Sequence, residues 1–285
     1  MLDGSGRVLW RGTCKATQEV MAATIRKRAP EVDAEGLAQL ARTGWYAEVR
    51  VKSFDSHRVR SVLVARAKLV GMKRTLSNTI RSLLKTFGQF TQRARGQGFA
   101  DRVRTLVADE PLLGKGIEGL LASWEAVSRQ VCDLDRLLSG LARHDPICRG
   151  VLMTAPGVGA ITALAFKSVI DDPTRFKRGE EIGAYLGLAP KRHQSGDTDR
   201  MGCISRCGDA MLRGYLFEAA TVALARVTRE NAPATWAKGL AKRSGSGKAR
   251  VALARKLAVI LFAMWRKNEP FRWAEAKPAP VAMAA

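Results

Sequence analysis

Ser195 and its neighbours are the residues of this sequence best suited to chemistry on a phosphate group. Lys191, Arg192 and His193 precede the serine, and Gly196 follows it. A serine hydroxyl becomes a useful nucleophile when a base removes its proton or when its target is polarised. Basic side chains can hold a phosphate, and a bound metal ion can polarise it. The segment therefore suits a serine that attacks a phosphodiester, although a turn serine before a glycine is the simpler interpretation.

A glycine pair further upstream is a candidate contact with a phosphate backbone. Gly157 and Gly159 flank Val158 between two apolar helical runs, which is the pattern of a helix-hairpin-helix motif. Glycine lets a backbone come close to a phosphate, and the free amides at the start of the next helix favour an anion. A tight turn between helices without a ligand is the alternative.

Three residues downstream of Ser195 extend this candidate interface. Ser205, Arg206 and Arg213 are the further candidate phosphate contacts. For Ser205 the alternative is a helix cap, since a serine hydroxyl can accept a hydrogen bond from the first turn of a helix.

The charge of the chain indicates a nucleic-acid partner. Its 285 residues include 48 Lys+Arg against 26 Asp+Glu, a formal net charge of +22. Residues 50–104 alone carry fourteen Lys/Arg and two acids. Neutralising phosphates with such a surplus releases counterions and favours binding. A merely basic protein with a solvated charged face is the alternative.

The sequence also indicates the compartment. No apolar run approaches the length of a membrane span, and no secretory signal is visible. The five cysteines lack the spacing of a disulfide framework. We therefore expect a cytoplasmic protein with no membrane partner.

Long helical patterns must position these residues, so we expect a mainly α fold. An apolar stripe with three- and four-residue steps begins at Ser53 or Ser56 and runs to about Phe87. Further helices are predicted over Phe99–Ala108 and Ile117–Leu141. Antiparallel packing of the long helices would bury both stripes and form a coiled-coil-like arm.

The pattern divides the chain into four segments. They are residues 1–52 with a β-hairpin at 1–14, the arm at 53–146, a C-terminal helical domain at 147–273 and a disordered tail at 274–285. Within the third segment, Lys242–Lys248 is predicted to be a mobile basic loop and Val251–Met264 a final apolar helix. Strand signals outside the N-terminal segment are scarce.

Several motifs, in order, resemble the transposase domain of the insertion-sequence 110/116/902 family, to which the Piv-type DNA invertases are related. The matching motifs are Pro156-Gly157-Val158-Gly159, Tyr185-Leu186-Gly187-Leu188, Ser195-Gly196, Ile204-Ser205, Gly208-Asp209 and Leu212-Arg213. Residues 32–87 also resemble the family, so the resemblance covers most of the chain. It implies a DNA transposase or recombinase of an insertion sequence.

The resemblance implies a mechanism and partners. An N-terminal RNase-H/RuvC-like domain would hold Mg²⁺ through four acids, of which Asp33 matches the fourth and is thus a metal ligand and catalytic residue. Ser195 would attack DNA and form a covalent intermediate. A structured guide RNA from the element would direct synapsis, and the protein would act as a homo-oligomer, a dimer or tetramer, at the bacterial nucleoid.

The N-terminal segment departs from the family pattern. The sequence starts past the strand that carries the family's first acid. The stretch that carries the second acid has no counterpart before Asp33, and Pro30 occupies the position of the third acid. Divalent cations of this kind need several carboxylate oxygens. We therefore expect a truncated, internally deleted RNase-H-like remnant and impaired catalysis. The alternatives are a non-catalytic DNA- or RNA-binding remnant, rescue by a full-length partner, and a basic helical protein with no transposon role.

Overall fold

The computed structural model describes residue 42 and residues 51–91, 96–195 and 198–273. From Lys52 onward the described chain forms one compact unit, to which all the elements named below belong. The predicted β-hairpin at residues 1–14, Asp33 and the tail from residue 274 lie outside the described residues, as does nearly all of the predicted RNase-H-like remnant.

The described chain is mainly helical with one two-stranded antiparallel sheet, in agreement with the predicted mainly α class. Its elements, in chain order, are α1 (Phe54–Thr86), α2 (Gln97–Leu106), α3 (Pro111–His144), α4 (Pro146–Gly150), α5 (Ala160–Ile170), α6 (Gly179–Tyr185), β1 (Pro190–Ser195), β2 (Thr198–Ile204), α7 (Ala210–Ala225), α8 (Ala232–Ser244) and α9 (Ser246–Lys267). Short 3₁₀ helices lie at Leu152–Thr154 and Pro173–Arg175. None of the described helices is long and apolar enough to cross a membrane.

The predicted antiparallel pairing of the two long helices, α1 and α3, is confirmed. Arg66 Nε donates to Asp135 Oδ1 at 2.5 Å, and further along Trp124 Nε1 donates to Ser77 Oγ at 2.7 Å. As the residue number rises on α1 it falls on α3, so the helices run in opposite directions. We call α1, α2 and α3 together the arm.

Local signals explain where the helices of the arm begin. Ser53, rather than Ser56, is the N-cap of α1, and its Oγ accepts a hydrogen bond from Ser56 N at 3.2 Å. α3 starts at Pro111, earlier than predicted, because proline is favoured in the first helical turn. At the far end of the arm, α2 packs on a cluster that includes Phe99, Ile117 and Trp124.

The C-terminal part surrounds a central helix. Eight of the eleven residues of α5 are buried, as expected for a helix that is apolar on all sides and enclosed by its neighbours. The same cluster contains Leu63 and Leu138 from the base of the arm and Leu257 and Leu261 from α9. The base of the arm is therefore part of the C-terminal core.

One prediction about local structure is wrong, and one element was not predicted. Lys242–Lys248 is not a loop, because α8 continues to Ser244 and α9 starts at Ser246, with only Gly245 (φ +85°) between them. The cations in the last turn of α8 favour helix through its dipole. The strands β1 and β2 were not predicted, since their residues are mostly polar and lack the alternation that marks a half-buried strand.

Candidate nucleic-acid interface

Ser195 is the last residue of β1, in a short antiparallel hairpin. Its Cα partner on β2 is Thr198, and His193 pairs in the same way with Arg200. Residues 196 and 197, between the strands, lie outside the described residues. The fold thus places the predicted nucleophile at the end of the hairpin and on the same strand as Lys191 and Arg192.

The cations of the hairpin are exposed, and one of them is already paired. Lys191, Arg192 and Arg200 are all exposed. The Arg192 guanidinium donates from Nε to Asp199 Oδ1 at 2.9 Å and from Nη2 to Oδ2 at 2.6 Å. This hydrogen bonding lowers the pKa of the Asp199 carboxyl below its usual range. A phosphate at Arg192 would therefore compete with Asp199.

Two glycines fix the base of the hairpin. Gly187 (φ +68°) and Gly208 (φ +115°) both adopt backbone conformations that favour glycine. A Cβ on Gly187 would lie 2.1 Å from the carbonyl oxygen of Cys207, and one on Gly208 would lie 2.2 Å from that of Tyr185. The loops before and after the hairpin are thus in backbone contact. Both glycines lie in the family motifs, and this contact explains why glycine is needed there.

The predicted contacts downstream of Ser195 lie at this base. Ser205 N donates to Ala189 O at 2.8 Å, and Arg213 Nη1 donates to Leu186 O at 3.1 Å. Arg206 is exposed and has a left-handed backbone, with φ +57°. The alternative that Ser205 caps a helix is wrong, because Asp209 is the N-cap of α7 and accepts from Leu212 N at 2.8 Å.

The glycine turn at residues 157–159 has a clear packing role. Gly157 has φ +76°, and a Cβ there would lie 2.2 Å from Ala219 O on α7. Val158 is buried, which leaves only its backbone for a ligand. Gly159 is the N-cap of α5, has no side chain to cap it, and has open space where a Cβ would be. A 3₁₀ helix, Leu152–Thr154, precedes the turn.

The structure brings some of the predicted residues together and separates others. Arg206 and Arg213 lie together at the base of the hairpin, whereas Ser195 pairs with Thr198 at its tip, roughly 17 Å along β1 from Pro190. The glycine turn meets α7 at Ala219, six residues beyond Arg213, which is roughly 9 Å along the helix axis. The two candidate contacts therefore reach the same helix at different points.

The described residues do not supply a metal site. Over residues 51–91, 96–195 and 198–273, no three or more His, Cys, Asp or Glu side chains come together in a way that could hold a metal ion. The predicted ligand Asp33 is outside these ranges.

A cavity of about 430 Å³ beside the start of α7 has a cationic lining that sequence reasoning missed. Arg60 pairs with Asp209, whose side chain is only 9% exposed, and the buried Arg60 Nη1 has no hydrogen-bond partner among the described residues. Burial and the nearby charge of Arg60 lower the pKa of Lys52. The lining thus holds two basic side chains and one carboxylate, which is paired with Arg60. Arg60 and Asp209 are too far apart in sequence for a local pattern to reveal their pairing.

The arm carries its positive charge on one helix. α1 contains eight Lys/Arg and one acid, whereas α3 contains four Lys/Arg and four acids. Lys68, Arg74 and Lys85 are exposed on α1 and form no ion pair with any residue that the structure describes. The excess of positive charge predicted for this region therefore lies on the surface of α1.

Fold and site together define a basic, mainly helical protein whose candidate interface is built around a hairpin. Residues 149–237, which include the glycine turn, the hairpin and all of α7, match the family described as Transposase IS116/IS110/IS902 family. The chain is 31% identical to "Probable family 20 transposase" of Pseudomonas aeruginosa, over 84% of this chain and 72% of that protein.

Two further similar proteins are named as a transposase and a gene-inverting protein. The chain is 29% identical to "Transposase for insertion sequence element IS1111A" of Coxiella burnetii, over 84% of this chain and 67% of that protein. It is 33% identical to "Pilin gene-inverting protein" of Moraxella lacunata over 42% of this chain and 38% of that protein. The chain belongs to the IS116/IS110/IS902 transposase family, which confirms the resemblance predicted from its motifs.

Proposed function

We propose that this chain is an insertion-sequence transposase or recombinase that binds DNA through the hairpin and its base. The observation that carries the proposal is the position of Ser195 at the end of β1, on a hairpin with exposed Lys191, Arg192 and Arg200. That hairpin lies inside the family-matched segment, and the relatives are named as transposases and pilin gene-inverting proteins.

The chemistry proposed for the site is strand exchange through a serine. The Ser195 oxygen would attack a DNA phosphorus, the bond from phosphorus to one deoxyribose oxygen would break, and that oxygen would leave with a proton. Exposed cations on the hairpin would offset the negative charge that develops on the phosphate oxygens. The glycine turn would add backbone amides at the start of α5 as a second phosphate contact.

We further propose that this chemistry is impaired in the present chain. The sequence supports this, because Pro30 stands where the family pattern has its third acid, and the stretch that carries the second acid has no counterpart before Asp33. Without these two carboxylates the site would lack oxygen ligands that hard divalent cations require. A Mg²⁺ requirement, a guide RNA, a dimer or tetramer, and rescue by a full-length subunit remain part of the proposal.

Salt-dependent DNA binding tests the interface. The dissociation constant, Kd, for a labelled duplex would be measured by fluorescence anisotropy over roughly 50–200 mM salt, where each neutralised phosphate adds about 0.9 to the slope. We expect Arg192→Gln to weaken binding several-fold and to reduce the slope by about 1.

Arg272→Gln is the matched control, because Arg272 is also an exposed arginine paired with a carboxylate, that of Glu269. It should change neither the affinity nor the slope. Equal effects of the two variants would contradict the proposed interface, and absence of DNA binding by the unaltered chain would contradict the proposed function.

A further inference from the structure

A second cavity, of about 290 Å³, opens beside the base of the hairpin between β2, α7 and α9. Its lining is mostly apolar but includes two arginines. Among the lining residues are Leu188, Ile204, Phe217, Val251, Arg206 and Arg213. It shares only Ala210 with the lining of the cavity at Lys52 and Arg60.

The cavity leaves an aromatic side chain partly uncovered. Phe217 is 36% exposed, although five other apolar residues of the same helix are buried. Gly214 is three residues earlier, on the same face of α7, and a Cβ there would meet nothing within 4 Å. The absence of a side chain at Gly214 thus leaves space next to the Phe217 ring.

The two arginines supply positive charge at the edge of this apolar space. Arg206 is exposed and forms no ion pair within the described ranges. Its left-handed backbone (φ +57°) is unfavourable for a residue other than glycine, and such strain is often retained for a function. Arg213 uses one nitrogen to bind Leu186 O, and a guanidinium has four further N–H donors.

We infer that this cavity takes one unstacked base of a nucleic-acid strand, with Phe217 against the face of the base and Arg206 and Arg213 at the neighbouring phosphates. A nucleotide combines a flat, largely apolar ring with an adjacent anion, which matches the lining and its charge. Aromatic side chains stack on unpaired bases. The inference rests on the proposed function, because it assumes that the hairpin region binds a nucleic acid.

An abasic scan tests the pocket. A labelled single strand would be prepared with one abasic position at a time, as DNA and as RNA, and Kd would be measured for each. With the unaltered chain, we expect one position at which removing the base weakens binding by about 5- to 150-fold, the range for base–aromatic stacking. The series with the larger effect identifies the natural strand.

Three variants tie that effect to the cavity. Phe217→Ala should abolish the position-specific loss, and Phe217→Tyr should retain it. Gly214→Leu should abolish it independently by filling the space beside the ring, without unfolding the chain, since leucine is a better helix former than glycine. Phe90→Ala is the control, because Phe90 is an exposed phenylalanine outside the cavity, and it should retain the effect.

The outcomes separate the two proposals. If the unaltered chain binds neither DNA nor RNA, the proposed function fails. If it binds but every abasic position costs the same, or if Phe217→Ala and Gly214→Leu keep the profile of the unaltered chain, the base pocket is wrong and the proposed function stands. Circular dichroism of each variant verifies that it is folded.

Discussion

Replacing Gly157 by alanine should destabilise the fold strongly, whereas the same change at Gly159 should not. Both glycines belong to one predicted phosphate contact, but the structure gives them different roles. Gly157 has φ +76° and would place a Cβ 2.2 Å from Ala219 O, a backbone atom of α7. Gly159 has an extended backbone with φ −97° and open space around a Cβ.

The size of the effect follows from these geometries. A left-handed conformation costs alanine about 1–2 kcal/mol, and moving α7 away from the new methyl group adds about 1–3 kcal/mol. The reduced freedom of the unfolded chain offsets about 0.4–1 kcal/mol. We therefore expect Gly157→Ala to lower the free energy of unfolding by about 1–5 kcal/mol, and Gly159→Ala by about 0.5 kcal/mol, the cost of alanine at an N-cap.

Chemical denaturation followed by circular dichroism measures both values, and DNA anisotropy under folding conditions separates stability from binding. If the α5 amides contact phosphate, Gly159→Ala should weaken DNA binding several-fold, since its methyl group stands in the approach to them. Equal stability of Gly157→Ala and the unaltered chain would refute the packing argument.

Three further results are expected. Asp199→Asn should tighten DNA binding several-fold in anisotropy at low salt, because it removes a negative charge and releases Arg192. Thiol labelling should be much slower at Cys148 than at Cys203, since burial raises the pKa of Cys148 to about 12 and the thiolate is the reactive form. Acid denaturation should be less steep in Asp145→Asn. Burial opposes the charged form of Asp145, but its hydrogen bonds with Lys167 and Cys148 outweigh this and lower its pKa.

A carboxyl with a lowered pKa in the folded state stabilises above its unfolded pKa, near 3.9, and that stability is lost as pH falls through the folded pKa. Asp133→Asn, at an exposed pair with Arg136 on the arm, is the control for Asp199→Asn and should tighten binding less. Equal gains, equal labelling rates or identical acid profiles would each contradict the corresponding prediction.

The helices could be predicted from the sequence because their signals are local. The apolar stripe of α1 and its cap at Ser53 lie within one segment, and the stripe of α3 has the same period. Their pairing followed from the need to bury both stripes. The hairpin of β1 and β2 could not be predicted in this way, since a small exposed sheet of polar residues has no buried face to impose a pattern.

The roles of single residues in the candidate site depended on distant contacts. Gly157 was interpreted as a phosphate contact, but its close neighbour is Ala219, 62 residues later in the chain. The uncovered ring of Phe217 likewise results from packing between α7, α9 and the hairpin base. A residue type and its immediate neighbours cannot report such contacts, although Gly187 and Gly208, which have positive φ values, both lie within the family motifs.

The most direct test of the proposed function is a covalent-adduct assay. End-labelled DNA would be incubated with the chain, Mg²⁺ and the RNA of the element, denatured, and examined for label that moves with the protein; a full-length relative provides the positive control. We predict no adduct with this chain, although it binds the same DNA. An adduct that is lost in Ser195→Ala but kept in Ser205→Ala would contradict the proposed impairment.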